Sequence, residues 1–293
     1  MKPPKTNKIY KGDTRLLLKD ENRFSENSID LIITSPPYGI QRKNSYGGIH
    51  PDKYVEWFTP IAEELLRILK PTGSFILNIK ERVRNCERDT YVLNLILEMR
   101  KLGWLWVEEY CWYKKNSFPG KWKHRFRDNW ERCLHFAKTK DFKMYQDAVK
   151  VPIGDWSQKR FKSMTNNDFI RSVSGTNSNF GRNVSNWLNK KKVYPHNVVI
   201  FEDEHYLYPS NVLEFPTECN NRIHSAVFPI ELPSWFIKLF SKKDDIVLDP
   251  FIGSGTTAIA SILLERKYLG IEIVEDYFKL ARKNIVNLKK MAK

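Results

Sequence analysis

A chain of 293 residues with 41% hydrophobic content can bury one large core, and it has no run of 18 apolar residues that would span a membrane. A formal charge of +15 and a pI near 9.5 point to a polyanion as partner, and nine Trp, several of them inside the basic stretches, favour nucleic acid over a membrane surface. Cys86, Cys111, Cys133 and Cys219 make no CxxC spacing, so neither a metal site nor a disulfide framework is indicated, and a reducing cytoplasm is the expected setting. Met1 to Lys5 is followed by no apolar segment and does not read as a signal peptide.

Lys8-Ile9-Tyr10 reads as a short strand ended by Gly12-Asp13, and Thr14 to Lys19 as a brief helix. Ile29-Asp30-Leu31-Ile32-Ile33 has the apolar continuity of a buried parallel strand. Thr34-Ser35-Pro36-Pro37-Tyr38 then stands at its carboxyl end. Gly39 to Pro51 reads as a contact loop or lid. Asp52 to Lys70 has helical apolar spacing through Val55, Phe58, Ile61, Leu65 and Leu69, with Pro71-Thr72-Gly73 as its stop. Ser74–Ile79 predicts a strand and Thr90–Leu102 a helix; Trp104–Lys114 and Arg132–Lys138 predict two more strands. From about Phe142 to Pro195 the periodicity fades, and between Lys138 and Lys192 there are 12 Lys or Arg against 4 Asp. The α/β pattern resumes with a strand at Ile246–Leu248, a helix to about Leu264, a strand at Tyr268–Ile273 and a helix at Val274–Leu288.

Two stretches carry chemistry. In Ser35-Pro36-Pro37-Tyr38 a hydroxyl, a backbone stiffened by two prolines and a flat aromatic face suit a planar heterocycle bearing an amine. The amine would donate to Ser35 and to the Pro36 carbonyl while the ring lies on Tyr38. In Asp249-Pro250-Phe251-Ile252-Gly253-Ser254-Gly255-Thr256-Thr257-Ala258 the glycines lie between a strand and a helix, and Glu272 ends the next strand. That placement suits an adenosine-containing ligand, with the carboxylate on ribose hydroxyls. By spacing alone, a pyridine dinucleotide and an adenosyl sulfonium fit equally.

Together the two motifs resemble those of the S-adenosylmethionine-dependent amino-methyltransferases of DNA. Ser35–Tyr38 is similar to their Ser/Asn/Asp-Pro-Pro-Tyr motif, and Asp249–Thr257 to their Asp-Pro-Phe-x-Gly-x-Gly-Thr-Thr motif. The order of the two looks like the circularly permuted beta group. The resemblance implies a Rossmann-like, doubly wound, mostly parallel α/β sheet of seven strands, circularly permuted and carrying an inserted basic target-recognition region. It implies catalytic roles for Ser35, Pro36, Pro37 and Tyr38. It implies cofactor contacts from Asp13, Thr34, Asp249, Pro250, Phe251, Gly253, Gly255, Thr256, Thr257 and Glu272. Arg222 to Pro229 resembles the segment on the cofactor's methionine end, which adds His224, Ala226 and Phe228; Ser225 stands where a proline is more usual. Trp130 to Phe136 resembles a strand that shapes the base pocket. The expected organisation is residues 1–140 as the catalytic part, 141–200 as the insert and 201–293 as the cofactor-binding part.

The expected reaction is direct methyl transfer to an exocyclic amine of a base flipped out of duplex DNA. None of the four cysteines follows a proline, which argues against the cysteine-nucleophile chemistry of cytosine-C5 enzymes. A serine at position 35 resembles the cytosine-N4 enzymes more than the adenine-N6 enzymes, which more often carry aspartate there; adenine N6 is the alternative. DNA contacts are expected from Arg42, Lys43, Lys123, Arg125, Arg127, Lys159, Arg160, Arg171, Arg182 and Lys190. The family analogy further implies a cognate restriction endonuclease acting on the same site without a stable complex, and a monomer or weak dimer. A nicotinamide-dependent dehydrogenase and a DNA-binding module without catalysis are the rivals from other classes.

Overall fold

The computed structural model describes residues 4–39, 48–114, 128–152, 192–193, 198–199 and 229–291. By compactness the chain divides into Met1–Tyr145 with Asn197–Lys293 as one unit, and Gln146–His196 as the other. In the second unit the described residues form a 3-10 turn at Gln146–Val149 and an antiparallel pair of Val151–Pro152 with Lys192–Val193.

The first unit is built on a sheet. Its strands are β1 (Lys8–Lys11), β2 (Ile29–Thr34), β3 (Leu69–Ile79), β4 (Leu105–Tyr113), β5 (Trp130–Ala137), β6 (Val198–Val199), β7 (Ile246–Asp249) and β8 (Lys267–Glu272). Their spatial order is β1-β8-β7-β2-β3-β5-β4-β6. All neighbours pair in parallel except β5, which is antiparallel to β3 and β4. Seven strands form the expected sheet, and the two-residue β6 adds an eighth at the edge. Every residue of β2 is buried, as the unbroken apolar run requires of a central strand.

Helices cover both faces. α2 (Pro51–Ile68) and α3 (Tyr91–Lys101) follow α1 (Thr14–Leu17), a single turn. Phe58, Ile61 and Leu65 of α2, with Val92, Leu95 and Met99 of α3, meet Ile32, Phe75, Leu77, Leu134 and Phe136 on one face of the sheet. Side chains alternate along a strand, so His135 points to the other face. There it lies 4.5 Å from the ring of Phe240, in α4 (Glu231–Phe240). α5 (Thr256–Leu263) and α6 (Glu275–Met291) complete the unit. Among the described residues no helix is long and apolar enough to cross a membrane.

Besides the added β6 and a short antiparallel pair of Val83–Arg84 with Glu87–Arg88, two elements differ from the sequence expectation. Pro71-Thr72-Gly73 does not follow the end of α2; it lies inside β3. The helix stops at Ile68, Leu69 is already extended, and Leu69 pairs with Ile29. A residue before proline is pushed to extended geometry, so Lys70 continues the strand, and its ammonium pairs with Asp30 at 2.6 Å. α4 had no counterpart in the sequence reading. Pro233 lies in its first turn, where its missing N–H costs little, and Leu232, Phe236, Ile237 and Phe240 are buried.

The parallel order brings the carboxyl ends of β1, β8, β7, β2, β3 and β4 to one edge of the sheet. Because β5 runs the other way, its first residues reach the same edge. β2 and β7 pair at the sheet centre, through Leu31 with Val247 and Ile32 with Leu248. There the connections diverge, β2 leading to β3 on one side and β7 to β8 on the other. This is the switch point at which open α/β sheets bind ligands.

Candidate active site

The Ser35–Tyr38 turn leaves β2 at this edge. The Ser35 hydroxyl donates to the Tyr38 oxygen at 3.2 Å. Tyr38 donates toward Glu131 Oε2 at 2.9 Å and Asn78 Oδ1 at 3.0 Å. Asn78 lies near the end of β3; its amide nitrogen donates to the Arg132 carbonyl at 3.1 Å, which turns its oxygen toward Tyr38. Glu131 lies at the start of β5, and its other oxygen takes a hydrogen bond from Lys114, just past the end of β4. One hydroxyl thus gathers groups from β3 and β5, with β4 supplying the counter-charge.

Electrostatics fix the proton positions in this cluster. Burial pushes the Glu131 carboxyl up, but Lys114 beside it, Lys80 and the Tyr38 hydroxyl outweigh that and hold it below the ordinary range. Burial, reinforced by the Glu131 charge, pushes the Tyr38 phenol well above its ordinary value. Near neutral pH the carboxylate is therefore ionised and the phenol protonated. Lys80 follows β3, donates to the Asp128 carbonyl at 3.0 Å, and is lowered by burial. The Tyr91 hydroxyl of α3 donates to the Lys80 carbonyl and accepts from the Gly39 amide at 3.5 Å, tying the end of the turn to the end of β3.

The glycine turn lies beside it. Asp249 is buried and accepts from Thr34 Oγ1 at 2.7 Å, Thr257 Oγ1 at 2.7 Å and the Phe251 amide at 3.0 Å. It joins the ends of β2 and β7 to the start of α5. Burial raises its carboxyl to about 6 against those three hydrogen bonds. Gly255 caps α5 with φ of 92°, and a Cβ there would come 3.2 Å from Ala281 of α6, so both backbone conformation and helix contact require glycine. Glu272 accepts from the Gly253 amide at 2.9 Å and from the Val274 amide at 2.8 Å. Thr14 Oγ1 donates to the Pro250 carbonyl at 2.5 Å, which joins the residues after β1 to the same turn. Asp13 caps α1 and pairs with Arg15, which holds its carboxyl below the ordinary range.

Of the sequence-derived site residues, the structure therefore brings Asp13, Thr34, Ser35, Pro36, Pro37, Tyr38, Asp249, Pro250, Phe251, Gly253, Gly255, Thr256, Thr257 and Glu272 to one edge. Thr34, Asp249 and Thr257 are buried and bonded to one another, while Phe251 and Thr256 are half-buried. His224, Ala226, Phe228, Arg42, Lys43, Lys123, Arg125, Arg127, Lys159, Arg160, Arg171, Arg182 and Lys190 lie outside the described residues. Asn78, Lys114 and Glu131 are not named individually as site residues by the sequence, although Glu131 falls within Trp130–Phe136, the stretch resembling a strand that shapes the base pocket. The available signal was Glu131 itself, a carboxylate in a strand whose next residues are mostly apolar and hence in need of a buried partner.

An adenosyl group fits the donor set at the glycine turn. The backbone of Gly253 and Gly255 carries no Cβ, Phe251 offers an aromatic face, and each Glu272 oxygen accepts one amide and keeps a lone pair for a hydroxyl. The sequence pattern of the DNA methylase family matches residues 29–283, from the first residue of β2 into α6. The chain belongs to this family. It is a DNA methyltransferase that uses S-adenosylmethionine. Type II methyltransferase M.PvuII of Proteus hauseri is 27% identical over 281 residues, which cover 92% of this chain and 80% of that protein. The DNA adenine methyltransferase YhdJ of Escherichia coli (strain K12) is 28% identical over 288 residues, covering 94% and 82%. In fold, the methylase resembles the PvuII DNA methyltransferase (cytosine-N4-specific), with a TM-score of 0.67 at 23% identity over 98% of this chain and 92% of that one. It also resembles a DNA modification methylase from Thermus thermophilus complexed with S-adenosyl-L-methionine, with a TM-score of 0.58 at 22% identity over 96% and 93%.

Proposed function

We propose that this methylase transfers a methyl group to the exocyclic N4 amine of cytosine at a specific site in duplex DNA. The observation that carries this reading is the Ser35 hydroxyl, donating to Tyr38 and so left with its lone pairs for an incoming amine. Serine at this position, where the adenine-N6 enzymes more often carry aspartate, favours cytosine. So does the likeness of fold to an enzyme described as cytosine-N4-specific. Adenine N6 is the second reading, favoured by the similarity to a DNA adenine methyltransferase.

The residues have distinct tasks in this mechanism. S-adenosylmethionine, when bound, supplies an electrophilic methyl group. Gly253, Gly255, Phe251, Thr256 and Glu272 would hold it, Asp13 would meet the adenine, and by resemblance His224, Ala226 and Phe228 would serve the methionine end. Thr34, Asp249, Pro250 and Thr257 keep the turn in shape. Ser35 and the Pro36 carbonyl accept hydrogen bonds from the target amine, drawing its lone pair out of conjugation. Pro37 stiffens the turn, and Tyr38 stacks beneath the base. Orientation of this kind contributes on the order of 7–11 kcal/mol to such reactions. Extruding the base costs a few kcal/mol. Phosphate contacts from the basic residues named above offset it and make binding salt-dependent.

This reading places the enzyme in the cytoplasm, as a monomer or weak dimer, with residues 141–200 as its target-recognition region. It also makes the enzyme the modifying half of a restriction–modification pair. The test is incubation with unmethylated duplex DNA and labelled S-adenosylmethionine, digestion to nucleosides and mass spectrometry. Labelled N4-methylcytosine is expected. Labelled N6-methyladenine would overturn the base assignment alone, and no labelled nucleoside would overturn the reading and favour a module that only binds.

A further inference from the structure

We infer that Glu131, ion-paired with Lys114 and accepting from Tyr38, is a positioning residue that sets the direction of every proton between itself and the target amine. The inference rests on the amine-methylation reading above. An ionised carboxylate can only accept, so the Tyr38 hydroxyl must donate to it, across 2.9 Å. With its proton committed, the Tyr38 oxygen is an acceptor, and the Ser35 hydroxyl donates to it across 3.2 Å. Ser35 then has no proton left to offer and presents lone pairs alone. The chain from Lys114 through Glu131 and Tyr38 to Ser35 thereby reads an N–H donor on the substrate base.

A second consequence is selectivity. Cytosine presents an amine at its 4-position, and uracil and thymine present a carbonyl oxygen there. An acceptor facing a carbonyl makes no hydrogen bond, and the site's polar group is left unpaired. Reversing the chain, so that Ser35 donates, would welcome the wrong group. Asn78 Oδ1, 3.0 Å from the Tyr38 oxygen, supports the same direction, since its amide nitrogen is already donating to the Arg132 carbonyl.

The test compares Glu131→Gln, Tyr38→Phe and the double variant in single-turnover methylation of duplex DNA. Glutamine keeps the shape but can hold Tyr38 in either direction; phenylalanine keeps the ring and removes the link. Each single change is expected to slow transfer on the order of 100-fold, with the KM for S-adenosylmethionine unchanged. The double variant is expected to be no slower than the slower single one, because Glu131 acts only through Tyr38. Effects that multiply would overturn the inference while leaving the methylase reading intact; a wild-type enzyme inactive on all DNA would overturn both.

Two further measurements do not depend on turnover by the glutamine variant. With tyrosine labelled with carbon-13 at the hydroxyl-bearing carbon, the Tyr38 signal is identified by its loss in Tyr38→Phe. Glu131→Gln should move its titration to lower pH, and an unmoved titration would overturn the inference. Lys114→Met keeps the carboxylate but removes its main counter-charge. Lys80, Tyr38, Tyr91 and Cys133 remain around Glu131, and Asp128 stays paired with Lys80; the acid limb of the rate profile is expected to shift to higher pH, with recovery as pH rises. A uniform loss at every pH would mean that Lys114 acts elsewhere and would overturn the inference.

Discussion

Two turns leave adjacent central strands at the same edge of the sheet, and they are built in opposite ways. The turn after β7 closes on itself. Its acid, Asp249, is buried, and three donors, one each from β2, the turn itself and α5, point inward at it. The turn after β2 opens outward. Its stiffness comes from Pro36 and Pro37, and its polar groups form a line from half-buried Ser35 to buried Glu131. One turn uses its carboxylate to hold shape; the other borrows a carboxylate from a distant strand to direct a hydroxyl. The difference teaches that a polar residue within a ligand-binding turn can serve the backbone, while the group that steers chemistry stands a strand away.

Removing each polar centre in turn would break the comparison. The largest effect is expected for Asp249→Ala, which leaves the Thr34 and Thr257 hydroxyls and the Phe251 amide without their shared acceptor. A loss of about 3 kcal/mol in urea unfolding is expected, with cofactor binding falling in parallel. Ser35→Ala, at the open turn, should leave unfolding within about 0.5 kcal/mol of wild type. It should slow methyl transfer on the order of 100-fold, read by single turnover. A stable Asp249→Ala protein or an unstable Ser35→Ala protein would erase the distinction.

Acid separates two buried titrating groups by sign. Asp249 is raised to about 6, so its ionised form costs stability above that pH, and the cost is relieved as pH falls from about 6 toward the unfolded value of 3.8. His135, bonded to Ser74 at 3.0 Å, is lowered by burial to about 3. Its neutral form suits the fold above the unfolded value of 6.5, and that stability is lost as pH falls from 6.5 toward about 3. His135→Gln should therefore flatten the loss of stability in this window, whereas Asp249→Asn should steepen it. Unfolding midpoints by tryptophan fluorescence at stepped pH give the slopes. The smallest effect is expected at Tyr54, whose buried hydroxyl finds no partner among the described residues. Tyr54→Phe should be neutral or stabilising by about 1 kcal/mol in thermal unfolding, in contrast to hydroxyls at the site.

Much of this was legible in the sequence because strands and helices of an α/β sheet announce themselves by apolar runs and spacing. Ile29–Ile33, Ile246–Leu248 and Thr90–Leu102 lie within a residue of the observed elements. Asp52–Lys70 was overextended because Pro71 and Gly73 look like a stop, although sheet pairing through Leu69 takes precedence over that local signal. α4 escaped because proline and aromatics obscure its spacing. The two motifs located the site, but the partners of Tyr38 did not follow from them. Asn78 and Glu131 lie 40 and 93 residues away in sequence, and only the register of β3 and β5 brings them in.

The sheet order also bears on how the chain is made. β1 pairs only with β8, and β2 meets β7 on one side, so both early strands wait for residues beyond 245. Until Ile246–Asp249 and Lys267–Glu272 leave the ribosome, β2 has an unpaired, wholly buried-type edge and β1 lacks its partner strand. At about 5–20 residues per second this delay exceeds ten seconds. Because the two turns come together only when β7 docks, no methyl transfer can begin before Ile246–Asp249 has been made.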